Sequence, residues 1–107
     1  KDVKTAKERI LYQHKPSEKV RVISDKALQD VNVLLREVVL TGTGRKARNV
    51  AEARGKTGTS QNYRDAWFIG SNAKYTAAVW VGNDDNSPMK EVGGGNLPAE
   101  IWAEIMK

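Results

Sequence analysis

Apolar residues recur along the chain in three rhythms, and each predicts a different kind of element. Between residues 10 and 24 they alternate with polar ones. Ile10, Tyr12 and His14 face away from Leu11, Gln13 and Lys15, Pro16-Ser17-Glu18 interrupts, and Val20, Val22 and Ser24 then alternate with Arg21 and Ile23. A period of two belongs to a strand, so residues 1–23 read as a small peripheral β element. Its polar first part, Asp2 to Lys7, forms an exposed hairpin arm.

At Ser24 the rhythm changes. Leu28, Val31, Leu34, Leu35 and Val38 recur at three- and four-residue steps, with Asp30 and Arg36 on the other side. That spacing predicts an amphipathic helix near 25–40. Ser24 is placed to cap it and Asp25 to meet the positive end of its dipole. Thr41-Gly42-Thr43-Gly44 ends it in a loop. Residues 45–53 are basic and show no clear period.

The third rhythm is the continuous apolar run. Ala66-Trp67-Phe68-Ile69-Gly70 and Tyr75 to Gly82 are apolar on both faces, which suits strands in the middle of a sheet or covered on both sides. Short turns, at 60–65 and 71–74, separate these runs from each other and from a polar strand at 54–60. The expectation is an antiparallel meander of 54–60, 65–70 and 75–82. A Gly-rich loop follows, with Gly93-Gly94-Gly95. Pro98 then opens a helix near 98–106, in which Ile101 and Ile105, and Trp102 and Met106, stack four apart over one face of the sheet. The predicted class is α+β, with this sheet covered by the two helices. Residues 1–23 form the peripheral element, 24–44 the first helix and its loop, and 54–107 the sheet and the last helix.

Composition narrows the chemistry. A chain of 107 residues holds one domain at most. It has no cysteine and a single histidine, His14, so no metal site and no cofactor are expected. No apolar run approaches the roughly 20 residues that span a bilayer. The chain begins at Lys1, without Met, which points to a longer protein. The net charge of +5 raises the possibility of a nucleic-acid partner, since Arg45, Lys46, Arg48, Arg54 and Lys56 lie close together. No aromatic residues interleave with these charges and no recognition motif accompanies them, so no nucleic acid is expected. A basic surface equally suits a cell wall or an anionic membrane face.

The stretch that carries candidate chemistry is Arg54-Gly55-Lys56-Thr57-Gly58-Thr59-Ser60. In an extended chain Thr57 and Thr59 share one face, and Gly58 leaves room for another molecule against the backbone. Hydroxyls, a backbone N–H and the Lys56 cation together suit a carboxylate lying along the strand edge. Two competing motifs fail. A phosphate-binding P-loop ending in Gly55-Lys56-Thr57 needs a glycine where Val50 stands. Gly42-Thr43-Gly44-Arg45-Lys46-Ala47 fits a loose dinucleotide fingerprint, but it follows a helix where a strand is required.

Lys56-Thr57-Gly58 is the K-T-G element of penicillin-binding proteins and class A β-lactamases. Around it, Tyr63-Arg64-Asp65-Ala66-Trp67-Phe68-Ile69-Gly70 and Val79-Trp80-Val81-Gly82-Asn83-Asp84 closely resemble the end of the transpeptidase domain of class A, bifunctional penicillin-binding proteins. Ile10-Leu11-Tyr12, Leu34 to Val39, Thr41 to Arg45 and Pro98 to Trp102 resemble the same family, so the likeness runs over nearly the whole chain. The Tyr63–Gly70 and Val79–Asp84 matches disfavour a β-lactamase.

The resemblance implies a partial β-lactamase/transpeptidase-like fold and a serine D,D-transpeptidase. In that family a serine attacks the penultimate D-Ala carbonyl of a peptidoglycan stem peptide, forms an acyl-enzyme and passes it to a neighbouring stem's amine. β-Lactams trap that serine. Carried over by position, Lys56 supplies charge and hydrogen bonding, and Thr57 and Thr59, with Gly58 between them, hold the substrate carboxylate. The backbone N–H of Thr59 is one oxyanion-hole donor. The implied setting is periplasmic, with the full-length protein anchored to the inner membrane by an N-terminal segment.

One departure is large. The family's S-x-x-K nucleophile and S-x-N element precede K-T-G, whereas here Ser60-Gln61-Asn62, Ser71-Asn72-Ala73-Lys74 and Ser87-Pro88-Met89-Lys90 all follow it. A nucleophile must cap a helix so that Lys, one turn on, can deprotonate it, and neither Ser71 nor Ser87 is placed to do so. The expectation is therefore a C-terminal portion of a transpeptidase domain. It holds the K-T-G wall, is inert alone, and self-associates through apolar surface left uncovered. The other function classes are a non-catalytic cell-wall or protein-binding module and a basic nucleic-acid-binding fragment.

Overall fold

The computed structural model describes residues 2–6 and 9–107. In chain order the elements are β1 (Asp2–Lys4), β2 (Ile10–Gln13), α1 (Asp25–Leu40), β3 (Arg54–Thr59), β4 (Asp65–Ser71), β5 (Thr76–Gly82) and α2 (Leu97–Met106), with short 3-10 turns at Arg45–Ala47 and Gln61–Tyr63.

β1 and β2 form an antiparallel pair of their own, with Val3 opposite Tyr12. The pairing slips between Val3 and Lys4. The predicted alternation beyond Pro16 does not become a strand. Residues 14–24 have no ladder, and Val20 and Val22 are exposed, because nothing lies beside them to pair with. His14 falls in this exposed stretch. The Lys7 end of the expected arm lies outside the described residues.

α1 starts where Ser24 Oγ accepts the Ala27 N–H at 3.1 Å. It ends as the N–H groups of Thr41 and Gly42 return to the Glu37 carbonyl and that of Gly44 to Val38. The apolar stripe is only partly used. Leu28, Val31 and Leu34 stay exposed, while Val39, outside the stripe, is buried. Toward its C-terminal end, Arg36 Nη1 donates to the Ala53 carbonyl at 2.7 Å.

The stretch after α1 has a period in the fold that its residue pattern does not display. Ala47, Val50 and Ala53 are buried at three-residue intervals. The backbone explains it: Ala47 N–H donates to Gly44, Val50 to Ala47 and Ala53 to Val50, each across three residues.

β3, β4 and β5 are hydrogen-bonded in that order, each antiparallel to the next. Register places Thr57 opposite Phe68 and Phe68 opposite Val79. That face carries the core, formed by Phe68 and Val79 with Ala99, Trp102, Ala103 and Met106 of α2. Phe68 meets Trp102 edge to face, centroids 5.1 Å apart at 62°. Trp102 Nε1 donates to the Gly70 carbonyl at 3.3 Å. Gly70 makes this possible, since a Cβ there would stand 2.9 Å from the Phe68 ring and 3.0 Å from that of Trp102.

Two packing expectations change. In α2, Trp102 and Met106 are buried, but Ile101 and Ile105 are 36% and 63% exposed, because helical rotation turns them away from the sheet. The opposite face of the sheet is open, with Trp67, Ile69 and Trp80 exposed by 41%, 49% and 45%. β4 is central, but β5 is an edge strand, and neither is covered on both sides. The accessible surface of 8324 Å² exceeds the roughly 5,900 Å² of a compact monomer of 11.9 kDa. The radius of gyration of 17.5 Å likewise exceeds the about 13 Å of a compact chain this long.

Candidate functional site

The candidate site is the free edge of β3 and the two faces that meet there. Ser60 N–H donates to the Asp65 carbonyl at 2.9 Å, so the amide of Ser60 points toward β4. Antiparallel pairing alternates, and the amides of Thr59 and Thr57 therefore point outward to the open edge. The turn that follows fixes this register. Ser60 Oγ accepts the Asp65 N–H at 2.8 Å, and Asp65 Oδ1 accepts Trp80 Nε1–H at 3.0 Å across the sheet.

Thr57 and Thr59 lie on the core side of β3. Their hydroxyls enter a cleft of about 360 Å³ shared with Thr43, Arg45, Lys46, Gly93 to Gly95 and Asn96. Thr57 Oγ1 and Thr43 Oγ1 are 2.7 Å apart. Thr59 Oγ1 accepts the Gly94 N–H at 3.0 Å. Gly94 lies flat against the strand pair: a Cβ there would run into the Trp67 carbonyl oxygen and come within 2.8 Å of the Gly58 nitrogen. The glycine run is thus a matter of close approach, and no glycine among the described residues has a positive φ.

Lys56 leaves the strand on the other face. Its side chain shares a second cleft, of about 340 Å³, with Thr57, Gly58, Trp67 and Ile69, and Nζ donates to the Thr57 carbonyl at 2.9 Å. The cations on the threonine side are instead Arg45 and Lys46. Lys46 is paired with Glu100 at 2.5 Å, while Arg45 Nη1 donates to the Thr41 carbonyl at 3.1 Å. A carboxylate at the edge can therefore meet two hydroxyls and Arg45 from one face and the Lys56 ammonium from the other. Gly58 lies on the same face as Lys56, in the second cleft. A Cβ at this position would meet only Trp67 Cβ, at 3.6 Å, so nothing within the chain demands glycine there.

The serines of the S-x-x-K matches do not join this edge. Ser71 ends β4 and accepts from Arg54 at 3.4 Å. Ser87 lies in irregular chain and accepts from Asn83 Nδ2 at 3.1 Å. It also holds the Asp85 carboxyl below the usual carboxylate range, first through its hydroxyl and then through its N–H, 3.0 Å from Oδ1. Neither serine caps a helix.

Comparison with known proteins assigns the family. The whole of residues 1–107 matches the Transpeptidase family, described as the penicillin binding protein transpeptidase domain. The chain belongs to that family. Penicillin-binding protein 1A of Clostridium acetobutylicum is 45% identical over 89 residues, 81% of this chain and 11% of that protein. Penicillin-binding protein 1A of Clostridium botulinum (strain Langeland) is 36% identical over 100 residues, 92% of this chain and 12% of that protein. The Pseudomonas aeruginosa penicillin-binding protein 1A is 33% identical over 104 residues, 94% of this chain and 12% of that protein. The chain thus spans about an eighth of the length of these penicillin-binding relatives.

Within β3, the sequence pattern points to Lys56, Thr57, Gly58 and Thr59 but not to their partners. In sequence Thr43 is only part of the loop that ends the first helix, and Gly93-Gly94-Gly95 only a loop. The partnerships run across 14 and 35 positions of sequence. Three successive glycines were the one available signal that a backbone approaches another closely here.

Proposed function

We infer that this chain is the C-terminal portion of a peptidoglycan D,D-transpeptidase domain and carries the wall of the active site that holds the substrate carboxylate. The observation that carries the reading is the β3 edge, with the Thr57 and Thr59 hydroxyls on one side, Lys56 on the other and the Thr59 amide directed outward between them. In this reading the hydroxyls and Lys56 bind the C-terminal carboxylate of a stem peptide, or the equivalent carboxylate of a β-lactam. The Thr59 N–H stabilises the oxyanion that develops at the attacked carbonyl. No S-x-x-K precedes Lys56 in residues 1–107. The acylated serine and its lysine therefore come from sequence outside them, as does the S-x-N element, and residues 1–107 alone are inert.

The open face of β4 and β5, with Trp67, Ile69 and Trp80, supports the same reading, because apolar surface on this scale normally meets a partner. In the complete protein the segment with the nucleophile packs there, and in the isolated chain the same face drives self-association. The setting consistent with this function is the periplasmic side of the membrane, with the anchor elsewhere in the protein. No helix among the described residues is long and apolar enough to cross a membrane.

Fluorescent penicillin tests the reading. A chimera of the Clostridium acetobutylicum penicillin-binding protein 1A, with its matching segment replaced by this chain, is expected to form a covalent adduct. The 107-residue chain is expected to form none. A stable adduct on the chain alone, or a folded chimera that is never acylated, would falsify it.

A further inference from the structure

We propose that Thr43 is a positioning residue for carboxylate recognition, setting the hydroxyl of Thr57 so that its proton faces the ligand. The inference rests on the transpeptidase reading of the β3 edge and adds to it a residue from outside the K-T-G strand.

The argument is a proton count. A carboxylate only accepts hydrogen bonds, whereas a threonine hydroxyl has one proton to donate and two lone pairs. For Thr59 the count is already fixed. Gly94 N–H donates into its oxygen at 3.0 Å, and a backbone amide cannot accept, so the Thr59 proton is left for something else. Thr57 has the corresponding partner in Thr43, at 2.7 Å. Two hydroxyls bring two protons, and the bond between them consumes one. An anion beside Thr57 selects the arrangement in which Thr43 donates inward and Thr57 donates outward. Both threonines of the cradle then accept from behind and donate in front.

Thr43 is held firmly enough for this task. The amide before it in sequence, Gly42 N–H, donates to the Glu37 carbonyl at 3.2 Å, and the one after it, Gly44 N–H, donates to Val38 at 2.9 Å. On its other side Gly95 packs so closely that an added Cβ would strike the Thr43 carbonyl oxygen. The end of α1 and the glycine loop thus clamp Thr43 between them, and its hydroxyl has a set position relative to β3.

The test uses the chimera described above and compares a β-lactam bearing its free carboxylate with the methyl ester of the same compound. Thr43→Val is expected to slow acylation by the acid about threefold to tenfold, the range for loss of one neutral hydrogen bond. It is expected to leave the ester rate unchanged, and Thr43→Ser to restore the acid rate. Equal slowing with acid and ester would show a merely structural role and overturn the proposal. So would an unchanged acid rate, or a Thr43→Ser variant as slow as Thr43→Val. If the unsubstituted chimera is not acylated at all, the transpeptidase reading fails and the role of Thr43 falls with it.

Discussion

Lys56 Nζ donates to the carbonyl oxygen of Thr57, 2.9 Å away, from the face of β3 opposite to the Thr57 hydroxyl. Neighbours in sequence, the two differ in reach: Lys56 lines only the second cleft, while the Thr57 hydroxyl meets Thr43 in the first. A ligand that engages both must lie along the strand edge itself, where the backbone amides of Thr57 and Thr59 also point. Under the proposed function this accounts for a cation, a hydroxyl and a bare backbone at consecutive positions.

Removing the cation should therefore affect binding of an anion without disturbing the fold. Lys56→Ala in the chimera is expected to slow acylation by penicillin about tenfold to a hundredfold, as for loss of one charge-assisted hydrogen bond. Its melting temperature should stay within about a degree of the parent, since Lys56 is exposed. A large fall in melting temperature would mean that Lys56 supports the fold instead.

Gly58 and Gly94 are expected to behave oppositely when replaced by alanine. Gly94→Ala forces a Cβ against the Trp67 carbonyl and should destabilise the 107-residue chain by about 1–3 kcal/mol, the usual range for overpacking. Gly58→Ala meets only Trp67 Cβ at 3.6 Å and should leave the chain as stable, while slowing acylation in the chimera by crowding the ligand. Urea denaturation of both variants, together with acylation rates, checks the contrast. Equal destabilisation would rule out the close approach of Gly94 as its cause.

The two tryptophans on opposite sides of the sheet should also differ. Trp102 is fully buried against Phe68, and Trp102→Ala is expected to cost about 3–5 kcal/mol. Trp67 is exposed, so Trp67→Ala should cost less than about 1 kcal/mol. Thermal unfolding that ranks them the other way would place the core on the wrong face.

The open face carries a prediction about association. The purified chain is expected to show a mass that rises with concentration in light scattering. Replacing Trp67 and Trp80 together with serine should lower that mass toward the monomer. A monomer at all concentrations before substitution would show that this face needs no cover.

How far the sequence reached can be seen at particular residues. Helix α1 was legible because Ser24 and the Gly42 and Gly44 pair mark its ends chemically, and those signals act within a few residues. Its burial was not legible. A stripe of Leu28, Val31 and Leu34 shows only that a face is apolar, not that anything covers it. Val20 and Val22 show the same for strands, since an alternating pattern without a neighbour remains coil. The three-residue spacing of Ala47, Val50 and Ala53 was hidden because two of the three are alanines, too small to signal burial on their own.

By itself the sequence put a cation, two hydroxyls and a glycine at successive positions of residues 54–59, a set that suits an anion. Alternation in an extended chain is a local property, and residues 1–107 as a whole match the transpeptidase family. Tertiary structure alone decided which residues stand beside that set. The Thr43 hydroxyl and the Gly94 amide reach Thr57 and Thr59 from 14 and 35 positions away, and Lys56 and Arg45 approach from opposite faces. A hydrogen bond depends on distance and direction in space, and only the folded chain sets either of them.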